Sequence, residues 1–206
     1  MYALVESGTI TKYFGYPKGF TLGDVQYPSD IFTKWSVEEK EAIGIYEVVF
    51  DDSNKKDETW YINTNQTFAF ADGVVTAFYD TAIAKSHADS LWTQQDLDDG
   101  NLPSNKSVGD VRGEGLKTTL IRTLKSQVAG ILKGTDWYIT RNSEKSTAIP
   151  SSISNHRDAV RTKQAAMEAQ ITGASDTAAL ETLYTFTEQE DGSVTRPLGE
   201  LPVLES

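Results

Sequence analysis

The chain has no cysteine among its 206 residues, so disulfide scaffolds, thiolate metal sites and cysteine nucleophiles are excluded. Only two histidines are present, His87 and His156, and neither has a second histidine three or four residues away. A zinc site would need carboxylates for nearly all its ligands, so both are read as surface side chains and no metal or cofactor is expected. Apolar residues make up only 38% of the chain, and no run approaches the roughly 18 needed to cross a bilayer. The first residues, MYALVESGTITKYF, lack the basic and apolar regions of a secretory signal. These absences fit a protein of a reducing compartment or a particle, with no membrane partner.

Charge is abundant but uneven. Residues 1–109 carry 8 basic and 17 acidic side chains, net −9, and residues 111–163 carry 10 and 4, net +6. Residues 164–206 carry 1 and 8, net −7. A basic middle between acidic flanks either pairs internally or faces an acidic partner. Acidic flanks repel phosphate over about a Debye length, so nucleic acid is not expected as that partner.

The pattern of elements predicts an α+β fold. Residues 1–80 are expected to form a small antiparallel β-rich domain, with strands at Ala3–Glu6, Thr9–Phe14, Ile45–Phe50, Thr59–Asn63, Thr67–Ala71 and Val74–Tyr79. Ser7-Gly8 and Asp72-Gly73 mark tight hairpin turns. Ser36-Val37-Glu38-Glu39 is a capping box opening a helix over 37–43, closed by Gly44. Residues 81–115, rich in Gly and poor in apolar side chains, read as a linker with a short helix near Ala88–Leu97.

A helical domain is expected over 116–188. Leu116, Leu120, Ile121, Leu124, Val128, Ile131 and Leu132 form one apolar stripe of a helix ended by Gly134. Gly130 inside it points to a close neighbour. A second helix follows Pro150, capped by Ser151 or Ser152, with Ile153, Val160 and Met167 every seven residues and Gly173 at its end. The two stripes predict an antiparallel pair joined by Thr135–Pro150. A third, short helix begins at Asp176, with Leu180, Leu183 and Tyr184 inward, and residues 189–206 read as an extended tail.

No enzymatic chemistry is expected. Asp96, Asp98, Asp99 and Gly100 open like a calcium loop, but its glycine and final glutamate positions are not matched. Asp51-Asp52 and Glu38-Glu39 are adjacent in sequence, which is no sign of two carboxyls across a cleft. There is no Gly-x-Ser-x-Gly, and GDVRGEG lacks the Lys-Ser/Thr that would hold phosphate.

Thr135-Asp136-Trp137-Tyr138 follows the first amphipathic helix, and after it come Arg141, Glu144, Ile149-Pro150, His156-Arg157 and Val160-Arg161. This order and spacing, over about 116–171, resembles the bacteriophage tail assembly chaperone family, akin to tail-fibre assembly proteins. His156 departs from the family, which more often has an aromatic there. The stretch YPSDIFTKWSVEEKEAIGIYEVVF also looks like segments that precede this module in phage tail proteins. The resemblance implies a non-enzymatic protein whose partner is a tail, fibre or baseplate protein. It implies either an assembly factor of the host cytoplasm or a structural component retained in the virion tail. Candidate partner-binding residues are Trp137, Tyr138, Asp136, Arg141, Arg157 and Arg161. The residues alone leave two roles open for Trp137, covering the end of the helix-pair core or touching the partner, and Asp136 can pair with Arg141, Arg157 or Arg161.

Overall fold

The structure, a computed structural model, describes residues 1–204; the end of the expected tail, Glu205 and Ser206, lies outside the described residues. The fold is α+β, a strand-rich sheet followed by helices, in two compact units, 1–83 and 84–206.

In the first unit Ser7 and Gly8 both take positive φ, the twisted turn that joins β1 (Tyr2–Glu6) to β2 (Thr9–Phe14). Two short strands follow, β3 (Phe20–Leu22) and β4 (Val25–Tyr27), then the single-turn helix α1 (Ile31–Lys34). The capping box forms as expected: the Glu39 amide donates to Ser36 Oγ at 3.2 Å and the Ser36 amide to the Glu39 carboxylate at 2.8 Å. The helix it opens, α2 (Val37–Glu41), is two residues shorter than expected. Gly44 is required twice, by its φ of 78° and because a Cβ there would strike the Val5 carbonyl. Then come β5 (Ile45–Asp51), β6 (Tyr61–Ile62), β7 (Thr67–Ala71) and β8 (Val74–Phe78), with Asp72-Gly73 as the β7–β8 turn. Of the expected strand Thr59–Asn63, only Tyr61–Ile62 forms.

The sheet order is β2-β1-β5-β8-β7. It is mixed rather than antiparallel throughout: β5 and β8 run parallel, Val48 opposite Val75 and Phe50 opposite Ala77. A parallel pair needs a crossover, and residues 52–73 supply it, including β7 itself. Both faces are apolar. Leu4 and Ile45 pack under Phe14, Phe20, Ile31 and Phe32 on one side, while Ala3, Val5, Val48, Val75 and Ala77 form the other core. On that second side Tyr13 of β2 meets Phe68 of β7 at 4.6 Å, so the sheet curls until its outer strands share a ring contact.

The second unit starts within β9 (Ile83–Ala84), and the expected linker is folded. It contains β10 (Ser90–Leu91), α3 (Gln94–Asp98) and β11 (Val111–Gly113), with β10 pairing β11. Asp96, suspected of a calcium loop, caps α3 with Thr93 and lies 3.0 Å from Arg112. The helix α4 (Leu116–Lys133) has the expected bounds, and its N-cap, Gly115, has no side chain to cap with. Residues 86–89 act in its place. The Gly115 amide donates to Asp89 at 2.7 Å, Leu116 to the Ser86 carbonyl at 2.9 Å and Lys117 to the His87 carbonyl at 3.0 Å. These are orphan donors of a helix start. The approach is so close that a Cβ at Gly115 would strike the Ala88 carbonyl.

The expected connection Thr135–Pro150 contains a ten-residue helix, α5 (Asp136–Lys145), ended by Ser146 in the left-handed region. Then α6 (Ser151–Gly173) runs antiparallel to α4, with Lys117 donating to the Thr172 carbonyl at one end and Arg157 to the Leu132 carbonyl at the other. Neither Ser151 nor Ser152 caps α6; Pro150 holds the N-cap position. Ile153, Val160, Met167 and Ile171 are buried on α6, and Leu124 and Val128 on the facing helix. Gly130 has no neighbour: a Cβ there would meet nothing within 4 Å. In α7 (Thr177–Tyr184), capped by Asp176, Leu180 is buried while Leu183 and Tyr184 are half-buried. The tail forms a small hairpin, β12 (Thr187–Glu188) and β13 (Val194–Thr195), and then lies extended along the second unit.

Two substitution results follow from this packing. Leu124→Ala should cost about 2–5 kcal/mol in denaturant titration. Gly130→Ala should stabilise by about 1 kcal/mol, since the helix gains and nothing clashes, whereas Gly115→Ala should destabilise. The carboxyl of Asp89 is held below its usual range by the Gly115 amide and the Thr118 hydroxyl. Its stabilisation is therefore complete above about pH 3.9 and lost as pH falls through the lowered value. The stability gap between wild type and Asp89→Ala, followed by acid titration, should close at low pH.

Candidate functional site

The corner where α4 ends and α5 begins gathers most of the candidate residues. Thr135 is buried, and its Oγ1 donates to the Leu132 carbonyl at 3.0 Å. It is the N-cap of α5, but neither it nor Asp136 caps the helix through its side chain. Instead, Arg157 of α6 reaches across. Its Nη1 donates to Thr135 Oγ1 at 2.6 Å and to the Leu132 carbonyl at 2.8 Å, and it lies 2.9 Å from Asp136 Oδ1. A cation on the last carbonyls of α4 also complements the helix dipole. Asp136 thus pairs with Arg157 rather than with Arg141 or Arg161. Arg161, one turn on, is exposed and sits 3.4 Å from Asp158, so it does not join the cluster.

Past the clamp, α5 presents an aromatic surface. Trp137 and Tyr138 lie ring against ring, centroids 4.1 Å apart and tilted by 35°, and the Arg141 guanidinium lies 4.5 Å from the Trp137 ring and 5.4 Å from Tyr138. Spacings of three and four residues bring Arg141 back over both rings. Trp137 remains 52% exposed, so it does not cover the end of the core. Ile139 on the same helix is also exposed. Arg141 Nε is buried without a hydrogen-bond partner, as is Arg157 Nε. The surface is aromatic and cationic, with Arg141 against both rings.

Sequence reasoning missed the helix itself and the docked tail. Leu198 and Leu201 were visible as apolar residues in an otherwise polar stretch, which was the available signal. Among the described residues no three His, Asp or Glu side chains gather as metal ligands, and no helix is long and apolar enough to cross a membrane. No protein-family model, curated protein or solved structure matches the chain.

Removing the clamp should matter far more than removing its exposed partner. Arg157→Ala leaves the Leu132 carbonyl and Thr135 without their charged donor and should cost about 3–5 kcal/mol. Asp136, whose side chain is 57% exposed, should lose less than about 1 kcal/mol on change to Asn. Chemical denaturation of both variants checks the order.

Proposed function

We propose that the chain is a non-enzymatic bacteriophage tail protein that assists assembly of the tail or tail fibre by binding another tail protein in the host cytoplasm. The observation that carries this reading is the half-exposed Trp137, stacked with Tyr138 and Arg141 inside the segment that resembles tail assembly chaperones. Tryptophan and arginine are the residue types richest in interface hot spots, and a stacked pair loses little freedom on binding. The clamp beneath supports a binding role for α5, because it anchors the helix through Thr135 and Asp136 and leaves the rings outward.

Trp137→Ala should abolish co-purification with the partner tail protein and fail to complement a phage lacking the gene. It should lower stability by only about 1 kcal/mol, the stacking that is lost. A variant that melts much earlier and loses function in proportion would count against the surface. Mass spectrometry of purified particles tests the assembly role separately: the protein should be absent, and stoichiometric presence would make it a retained tail or baseplate component.

A further inference from the structure

The C-terminal segment is held to the helical unit mainly around Arg196–Leu198, with Arg196 over the Tyr184 ring. Leu198, 1% exposed, is its one fully buried side chain. Around it the grip is on main chain: Leu198 N–H donates to the Leu183 carbonyl at 3.0 Å, Lys163 Nζ to the Leu198 carbonyl at 3.0 Å, and Gln170 Nε2 to the Pro197 carbonyl at 3.4 Å. Beyond that point contact thins. Leu201 and Pro202 are half-buried and Val203 is 85% exposed.

Leu201 also fails to fill the place it occupies. On one side lies an open hollow of about 510 Å³ with a floor of Gly130, Ile131 and Met167 and a polar rim of Gln127 and the segment's own Arg196–Glu200 ion pair. On the other lies one of about 290 Å³ bordered by Ile131, Gly134, His156 and Pro202. Gly130 is the telling position. A glycine in a helix interior costs about 1 kcal/mol relative to alanine, and here nothing of the chain itself approaches it.

We infer that this groove along α4 and α6 is a docking site for an extended apolar segment of a partner protein, which the chain's own residues 197–204 occupy in its absence. Three features define the occupant. Side chains of α6 hold successive carbonyls, which suits an extended backbone rather than a helix. The buried position of Leu198 takes a leucine-sized anchor. The hollow over Gly130 takes a side chain larger than Leu201, such as phenylalanine. In the free protein the strap competes because it is tethered: residues 185–195, folded into the β12–β13 hairpin, are a short connection, and a short tether supplies an effective concentration on the millimolar scale. The groove reaches Thr135 at the start of α5, but Trp137 and Tyr138 do not line it, so its test does not depend on Trp137 or on any tail protein.

The experiment titrates labelled peptides into the full-length chain by fluorescence anisotropy. One peptide spans Thr195–Leu204, and a second carries Leu201→Phe. Against the strap variant Leu198→Ala/Leu201→Ala, both peptides should bind at least about tenfold tighter than against wild type, because the tethered competitor is gone. The phenylalanine peptide should be the tighter of the two. Adding Gly130→Leu to the strap variant fills the hollow; it should remove the phenylalanine advantage while circular dichroism shows an unchanged or higher melting temperature. Equal binding to wild type and a folded strap variant would overturn the inference, and so would retention of the advantage in Gly130→Leu. Unfolding of the strap variant would also overturn it, since a segment the fold requires cannot give way to a partner.

Discussion

The second unit depends on one guanidinium. Arg157 enters from α6 and, through a single nitrogen, meets the Leu132 carbonyl of α4, the hydroxyl of Thr135 and the carboxylate of Asp136. Helix ends leave carbonyls without partners, and a buried one is costly. The cation adds a charged donor to the Leu132 carbonyl, which the Thr135 amide and hydroxyl also meet, and ties the start of α5 to α6. The antiparallel register of α4 and α6 and the outward direction of Trp137 both follow from this one junction. The rest of the basic middle segment is engaged separately. Its charges are largely taken up close to home: Arg122 with Glu114, Lys125 with Glu168, Arg161 with Asp158, and Lys117 and Lys163 on backbone carbonyls.

Local patterns were legible wherever the chemistry was local. Ser7-Gly8 and Asp72-Gly73 need positive φ, Ser36 and Glu39 cap each other three residues apart, and the stripe from Leu116 to Leu132 is one helix face. The heptad Ile153, Val160 and Met167 is buried in full. What escaped the reading was long-range. Nothing in the alternation of Ile45–Asp51 says whether its neighbour runs parallel or antiparallel. Residues 81–115 looked unanchored because their anchors are the Asp89 carboxylate and two backbone carbonyls at a helix start, which composition does not display. Helix α5 carries few apolar side chains in periodic order, so only its junction with Arg157 reveals why it forms.

The candidate site was legible in kind and less so in detail. Trp137, Tyr138 and Arg141 do gather, as spacings on one helix require, while Asp136 and Arg157 form the support beneath them. Choosing among three arginines for Asp136 needed the relative placement of α4 and α6. Residue spacing within α6 alone favours neither Arg157 nor Arg161. Gly130 went the other way: a glycine in a helix suggests a close neighbour, and the structure offers open space instead.

The cap on α4 has an evolutionary consequence. Asp89 and Gly115 bracket a loop whose ends are pinned while its middle, including Asn101–Gly109, lies at the surface. Closing a flexible loop of twice the length costs only about 0.6 kcal/mol more. Insertions and deletions there should accumulate among related chains with little penalty. Residues 86–89 have no such latitude, because a one-residue shift would withdraw three acceptors from the helix start at once. Variation in length on one side of Asp89 and constancy on the other is the signature this junction should leave in any lineage that keeps it.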